Sequence, residues 1–204
     1  MACSLTAGRG IDCRDSIGGI KAVFFTNNYC DNILAAAEVT GDSYTITDAD
    51  FVDWTIAGVP TSSKVRVLRY LLVTDLSSMT VAVSADKATG SVMYNQTLSI
   101  VLQKTTPADL FQVGLLGKNR PQIFVQDSND NVFLMGIENG CYLTGGDTLS
   151  TGAARTDLNG LTLEFTAMEK DPLYTITKTA GVATAGYPFD GLADAPAGLE
   201  IVVS

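Results

Sequence analysis

Residues 79–102 constrain the fold more than any other part of this chain. Residues 79–84 and 91–102 both alternate apolar with polar side chains, and a polar connection at 85–90 lies between them. A period of two is typical of a β-strand with one buried face, and a short connection that ends in Gly90 suits neighbouring antiparallel strands. This pattern predicts a long β-hairpin arm.

A short helix is predicted directly after the arm. Thr106 offers an N-cap, Pro107 suits the first helical position, and Asp109 places an acid in the first turn. Apolar residues follow from Leu110, and the helix is expected to end near Gly117.

A second hairpin and a closing strand follow the helix. Residues 122–126 and 132–137 flank 127–131, a run of Asp, Ser and Asn that favours a turn. Residues 161–168 alternate strictly. The alternation places one set of side chains on one face, namely Leu161, Leu163, Phe165 and Ala167, and a second set on the other, namely Thr162, Glu164, Thr166 and Met168.

The first half of the chain gives fewer signals. Strands are predicted at 20–26, 44–47, 51–56 and 65–73, with a last one at 174–178. A short helical turn at 33–39 is left open.

The 204 residues suit one domain with a sizeable core. We assign residues 1–178 to a single β-rich domain with an N-terminal arm at 1–19. Residues 179–204 are rich in Ala, Gly and Pro, and are interpreted as an extended C-terminal tail that orders against a neighbour.

Composition indicates an assembling protein and argues against a catalyst. Hydrophobic residues make up 46% of the chain and charged residues 17%, so apolar surface is expected to lie against other subunits. The absence of histidine removes the commonest general base and metal ligand. We predict no enzyme activity, and no catalytic, cofactor-binding or metal-binding residues.

A net charge of −9 argues against a basic groove that binds the phosphates of nucleic acid. Negative charge also suits a surface that DNA passes without binding to it.

One stretch imitates a calcium loop. Asp127, Asn129, Asn131 and Glu138 match the first, third, fifth and twelfth positions of an EF-hand, but Val132 occupies the sixth, which requires glycine. A hairpin turn is therefore preferred.

The four cysteines, Cys3, Cys13, Cys30 and Cys141, have no C-x-x-C spacing. Since no signal peptide is visible, we expect synthesis in a reducing cytoplasm with free, buried thiols. No apolar run is long enough to span a bilayer, and no membrane insertion is expected.

Lys64, Arg66 and Arg69 form the one notable basic cluster. It is interpreted either as a surface that pairs with acids of another subunit or as a solvated strand edge.

The order of these elements resembles that of the major tail tube proteins of tailed bacteriophages. The resemblance runs from the strand at 65–73 through the arm, the helix and the second hairpin to Asp157-Leu-Asn-Gly160 and the strand at 161–168. Residues 12–21 are also similar to the short cysteine-containing opening of a set of phage structural proteins.

This resemblance implies a mainly β fold, a β-sandwich or rolled sheet with one flanking short α-helix and long β-hairpin arms. It implies a virion protein without an active site, made in the bacterial host cytoplasm, whose hexameric rings stack into a tube that conducts DNA. Residues 65–73 and 79–102 are expected to line and link the tube, and the helix at 110–116 to cover the sheet from outside. The implied partners are further copies, other tail or connector proteins, and passing genomic DNA.

Two alternatives remain. The chain could be another virion component, such as a capsid decoration, head-to-tail connector or tail terminator protein, because these share β-rich cores and extended arms. Alternatively it could be a host-surface carbohydrate-binding module or enzyme, with Asp and Glu as working groups and Trp54 or Tyr residues as sugar platforms.

Overall fold

A computed structural model describes residues 16–26, 43–44, 65–73, 75–104, 106–147, 149–176 and 199–203. These residues form one helix and eleven strands. In chain order the elements are β1 (Ile20–Thr26), β2 (Ser43–Tyr44), β3 (Val65–Leu71), β4 (Ser78–Asp86), β5 (Ser91–Gln103), α1 (Pro107–Leu116), β6 (Ile123–Asp127), β7 (Val132–Met135), β8 (Tyr142–Gly145), β9 (Gly160–Glu169), β10 (Tyr174–Ile176) and β11 (Leu199–Val203).

The strands form two sheets. The larger has seven described strands in the order β11-β3-β1-β6-β7-β10-β2, and the smaller has four in the order β4-β5-β9-β8. All pairs in the four-stranded sheet are antiparallel. In the seven-stranded sheet only β11 with β3 and β10 with β2 run parallel.

The hydrophobic core lies between the two sheets. It contains side chains from the inner faces of both sheets. The ring centroids of Phe25 and Phe165 lie 5.3 Å apart there. Burying each such large side chain stabilises the fold by roughly 1.5–3 kcal/mol. The molecule is thus a β-sandwich with a single short helix in its described part, which confirms the predicted fold class.

The seven-stranded sheet is buried on both faces. Val23 and Phe25 point into the core, while Phe24, Phe124 and Leu134 on the other face are also almost completely buried. Strands covered on both faces have continuous apolar runs, and residues 22–25 are such a run.

The helix begins as predicted. Thr106 is its N-cap, the Thr106 Oγ1 accepts a hydrogen bond from the Asp109 N–H at 3.3 Å, and Pro107 occupies the first turn. The Asp109 side chain accepts in return from the Thr106 N–H at 2.7 Å, which completes a capping box. Val113 faces the core, and the helix ends at Gly117.

Both predicted hairpins and the closing strand are confirmed. β4 pairs with β5, β6 pairs with β7, and β9 buries Leu161, Leu163, Phe165 and Ala167 in alternation with more exposed neighbours. The strands predicted at 20–26, 65–73 and 174–178 correspond to β1, β3 and β10, and Tyr44 of the strand predicted at 44–47 lies in β2. Residues 33–39 and 51–56 lie outside the described residues.

Two strands were missed. β8 was not predicted, and β11 lies within the segment interpreted as a tail, where residues 199–203 pair in parallel with β3. The rest of that segment and most of the N-terminal arm lie outside the described residues.

Candidate assembly surface

The hairpin of β4 and β5 projects beyond the sheet that carries it. The pairing of β5 with β9 ends at Tyr94 and Glu169, whereas the pairing of β5 with β4 continues to Ser91 and Asp86. Residues 84–93 therefore extend past the end of β9, and we call them the arm tip.

One face of this hairpin carries an apolar strip that is exposed to solvent. Val81, Val83 and Ala85 pair with Gln96, Tyr94 and Val92, and directly paired residues share a face. Along β5 this face continues into the buried Leu98 and Ile100, so the strip extends the inner, core-forming face of the sheet. Val83 is 63% exposed, which is unusual for a side chain on such a face.

A buried hydrogen bond joins the base of the hairpin to the turn between β7 and β8. Gln96, on the same face as the strip, accepts a hydrogen bond from the Gly136 N–H at 3.1 Å. Gly136 and Gly140 have positive φ angles in the turn between β7 and β8, and a Cβ at Gly136 would lie 2.5 Å from the Cys141 sulfur. The Gln96–Gly136 bond adds to the pairing of β5 with β9 at the base of the hairpin. Beyond Tyr94, β4 and β5 pair only with each other among the described residues.

Among the described residues the four-stranded sheet has two edges without a partner strand, which we call open edges. No described strand pairs with β4 on the side away from β5, or with β8 on the side away from β9. Residues 78–85 of β4 contain no charge and no proline, the usual devices that prevent edge strands from associating. Because the sheet contains four antiparallel strands, β4 and β8 run in opposite directions.

The outer face of this sheet is polar and nearly uncharged. None of its four strands contains Lys or Arg. The outward-facing side chains of its central strands are mainly hydroxyl and amide groups, together with Glu164 and a few apolar residues: Ser91, Met93, Asn95, Thr97, Ser99, Val101, Gln103, Thr162, Glu164, Thr166 and Met168.

A groove of about 610 Å³ lies at the end of the sheet opposite the arm tip. Apolar side chains of Leu76, Val101 and Leu158 line it beside Lys104 and Asp157. Hydrogen bonds between distant segments hold the groove residues in place: the Val101 N–H donates to the Ser77 Oγ at 3.2 Å, and the Lys104 N–H donates to the Asn159 carbonyl at 2.8 Å.

Asp157 is part of a tight turn at the rim of this groove. Its Oδ2 accepts hydrogen bonds from the N–H groups of Ala154 at 2.7 Å and Ala153 at 2.9 Å. These bonds hold the pKa of Asp157 below its usual range, so the groove carries a negative charge at neutral pH next to the positive charge of Lys104.

The helix exposes apolar side chains on its outer side. Phe111 is 67% and Leu110 40% exposed, while Val113 is buried on the inner side.

The segment that imitates a calcium loop is a hairpin turn. The Asp127 Oδ1 accepts from the N–H groups of Asn129 at 2.9 Å and Asn131 at 2.8 Å, so this carboxylate stabilises the turn between β6 and β7. Glu138 forms an ion pair with Lys170 instead. In the described part of the chain, no three His, Cys, Asp or Glu side chains are grouped as metal ligands.

Cys141 is a free, completely buried thiol, as expected. Burial raises the pKa of this thiol well above its usual range, and the nearby Glu169 acts in the same direction. Cys3, Cys13 and Cys30 lie outside the described residues.

Arg69 of the basic cluster is not at a solvated edge. β3 is paired on both sides, by β1 and β11, and the Arg69 guanidinium lies 5.7 Å from the centre of the Phe24 ring. The contact is a cation–π interaction within the subunit. Lys64 and Trp54 lie outside the described residues.

The arm was predictable from the alternation along the chain, whereas the surfaces around it were not. The short strand β8 has no clear sequence signal, and the second open edge therefore has none either. The groove combines side chains from the end of β5 and from loops that are distant in sequence, so no local motif could have indicated it. Among the described residues, no helix has the length and apolar character required to cross a membrane.

Comparison of the chain with protein-family models, with curated proteins and with solved structures finds no match.

Proposed function

We propose that the protein is a non-enzymatic virion protein, a tail tube subunit whose rings, hexameric by resemblance, stack into a channel that conducts phage DNA. The observation that carries this proposal is the four-stranded sheet with two open edges that run in opposite directions. The other partners in this proposal are further tail or connector proteins, and the chain is made in the bacterial host cytoplasm.

Because the two edge strands run in opposite directions, identical copies can pair edge to edge and form one continuous sheet. When copies are related by rotation about an axis, β4 of one copy meets β8 of the next, and the two strands run antiparallel. Every pair in the extended sheet then has the geometry of the pairs within the subunit, and a closed barrel leaves no edge. Six four-stranded sheets would give a barrel of about 24 strands, enough for an open channel.

The outer face of the sheet has the chemistry that such a channel requires. Its strands lack Lys and Arg, whereas cations that contact phosphates account for most non-specific DNA affinity. Hydroxyl and amide side chains remain hydrated, and Glu164 repels phosphate. DNA is expected to pass this surface without binding.

The resemblance placed residues 65–73 and 79–102 together along the tube. Here β3 belongs to the seven-stranded sheet, and β4 with β5 to the four-stranded sheet. In the proposed tube only the second segment lines the channel, and the larger sheet forms the outer layer.

Sedimentation over a concentration series, together with electron microscopy, tests the proposal. Rings or hollow tubes are expected as concentration rises. A chain that stays monomeric at all concentrations, or that is present in virions at the copy number of a single ring, would overturn the tail tube assignment; the second result would instead indicate a terminator or connector protein.

A further inference from the structure

Glu169 is a buried carboxyl group whose two oxygens have different surroundings. The residue lies at the end of β9 and is only 2% exposed. Oε1 accepts hydrogen bonds from the backbone N–H groups of Glu138 and Asn139. Oε2 is also buried, and it has no hydrogen-bond partner among the described residues. A negative charge on this oxygen would have neither water nor a donor beside it, so the closed fold suits the neutral carboxyl better than the carboxylate.

The turn between β7 and β8 covers the buried thiol of Cys141. A Cβ on Gly136 would lie 2.5 Å from the Cys141 sulfur, so the backbone of the turn lies directly against this atom. The middle of the turn, at Glu138 and Asn139, is exposed to solvent. The two hydrogen bonds to Glu169 Oε1 join this exposed middle to β9. The carboxyl group therefore helps to keep the cover over the thiol in place.

Several other titratable groups surround Glu169. They are Glu138 and Cys141 from the turn, Lys170 and Asp171 beyond the end of β9, Tyr174 from β10, and Tyr94, which pairs with Glu169 from β5. Burial is the largest influence on Glu169 and raises its pKa; the Glu138 carboxylate acts in the same direction, and the Lys170 ammonium opposes it. Since Glu138 and Lys170 also form an ion pair with each other, burial decides the direction.

We propose that Glu169 is a pH-sensitive switch, which holds the turn between β7 and β8 closed over Cys141 when it is protonated and releases the turn when it is ionised. The carboxylate is hydrated once the turn opens, whereas the closed turn leaves it buried with one oxygen unpaired. Opening also breaks the bond from the Gly136 N–H to Gln96, and it exposes the Cys141 thiol to electrophiles. The inference does not depend on the proposed function, because all these contacts lie within one subunit.

The direction of the pH dependence follows from the two states of the turn. The closed turn binds the Glu169 proton more tightly than the open turn, in which the hydrated carboxyl has its ordinary pKa of about 4.3. Opening is therefore rarest below that pH and grows as the pH rises through the pKa of the closed form. The opening equilibrium constant gains about tenfold for each pH unit that separates the two pKa values.

Labelling of Cys141 with N-ethylmaleimide tests the switch in the full chain. Peptide mapping by mass spectrometry distinguishes this thiol from Cys3, Cys13 and Cys30. Because the exposed thiol itself ionises with pH, the quantity to compare is the wild-type rate divided by the Glu169→Gln rate at each pH. Glutamine keeps an oxygen acceptor for the turn and does not ionise. This ratio is expected to rise between about pH 5 and about pH 8.

Glu138→Gln is the matched control. It removes the carboxylate that pairs with Lys170 but keeps the backbone N–H that donates to Glu169. Its labelling rate, divided by that of Glu169→Gln, is expected to rise with pH as the wild-type ratio does. Circular dichroism checks that both variants are folded.

Amide hydrogen exchange of the wild type gives a second measurement that needs no variant. After correction for intrinsic exchange rates, the opening of the Glu138 and Asn139 amides is expected to increase with pH. The amides of Ile100 and Leu163, in the buried centre of the four-stranded sheet, report global unfolding. They are expected to open less often than the turn amides and Cys141 at every pH.

Three outcomes would overturn the inference. A labelling ratio that stays constant with pH shows that Glu169 does not control the turn. Loss of the rise in Glu138→Gln assigns the pH response to Glu138 instead. If Cys141 and the turn amides open only as often as Ile100 and Leu163, the thiol is reached by global unfolding alone. None of these results bears on the assembly of the protein, so the proposed function is tested separately.

Discussion

Glu169 Oε1 accepts a hydrogen bond from the backbone N–H of Asn139 at 3.1 Å, and this contact fixes the turn between β7 and β8 to the end of β9. The same oxygen accepts from the Glu138 N–H at 3.2 Å, whereas Oε2 is buried and has no hydrogen-bond partner among the described residues. Burial raises the pKa of Glu169 because the charged form loses its hydration; the two backbone bonds oppose this change.

This raised pKa predicts that Glu169 makes stability depend on pH. The folded chain binds the Glu169 proton more tightly than the unfolded chain does, so protonation of Glu169 raises the free energy of unfolding. This contribution is complete below the unfolded pKa of about 4.3, and it is lost as the pH rises through the folded pKa. The free energy of unfolding of the wild type, measured in urea relative to Glu169→Gln, is expected to fall over that interval.

Glu164→Gln is the control for this experiment. Glu164 lies on the same strand but is exposed on the outer face. This variant keeps the buried Glu169 carboxyl, so the fall in the free energy of unfolding across that interval is expected to remain. A difference between the wild type and Glu169→Gln that rises with pH would contradict the assigned direction.

The capping box of the helix predicts a cost for removing its hydroxyl. Thr106→Ala deletes the oxygen that accepts from the Asp109 N–H, and is expected to lower the free energy of unfolding by about 1 kcal/mol. Thr106→Ser keeps the acceptor and is expected to stay within about 0.5 kcal/mol of the wild type. Equal losses in both variants, measured by urea unfolding, would show that the hydroxyl has no capping role.

Two glycines predict opposite effects of the same substitution. Gly140 has a φ of +71°, and a Cβ there would lie 2.5 Å from the Arg120 carbonyl oxygen, so Gly140→Ala is expected to destabilise by at least about 2 kcal/mol. Gly114 is exposed in the helix with no atom within 4 Å of an added Cβ. Gly114→Ala is expected to stabilise by roughly 0.5–1 kcal/mol, because alanine favours the helix. Thermal unfolding measures both effects, and a shared sign would refute this explanation.

The open edge of β4 predicts a variant that folds but does not form rings. Val81→Lys places a cation on the exposed inner face of this edge strand, where it obstructs pairing with a second copy. The variant is expected to sediment as a monomer, with a free energy of unfolding within about 0.5 kcal/mol of the wild type. Leu110→Lys on the helix is the control, since Leu110 is 40% and Val81 37% exposed. Rings formed by Val81→Lys would exclude β4 from the contact.

The elements that were predictable from the sequence are those that depend on neighbouring residues. The capping box of Thr106 and Asp109 and the alternation along β9 are both written in a few adjacent positions, and the structure has them as expected. The turn at Asp127 was preferred over a calcium loop because Val132 lacks the freedom of glycine, and Asp127 indeed bonds its own turn.

Strand pairings between distant segments could not be predicted from local sequence patterns. β8 has only four residues, and its pairing with β9 shifts register between Leu143 and Gly145, so its alternation is too short to detect. β11 is placed by β3, more than a hundred residues earlier, through a parallel pairing that has no local signature. The open edges and the groove depend on these long-range pairings. Composition could therefore predict that the chain assembles, but not which surfaces take part.

The register of β5 also determines the order in which the fold can form. Its pairing with β4 needs only the closure of a tight turn, which takes microseconds, whereas Leu98 must await Phe165, far along the chain, before the inner face is covered. The uncharged edge of β4 is thus present while the core is still incomplete. Premature association at this edge competes with folding, so the yield of native subunits should depend on the rate at which chains are produced.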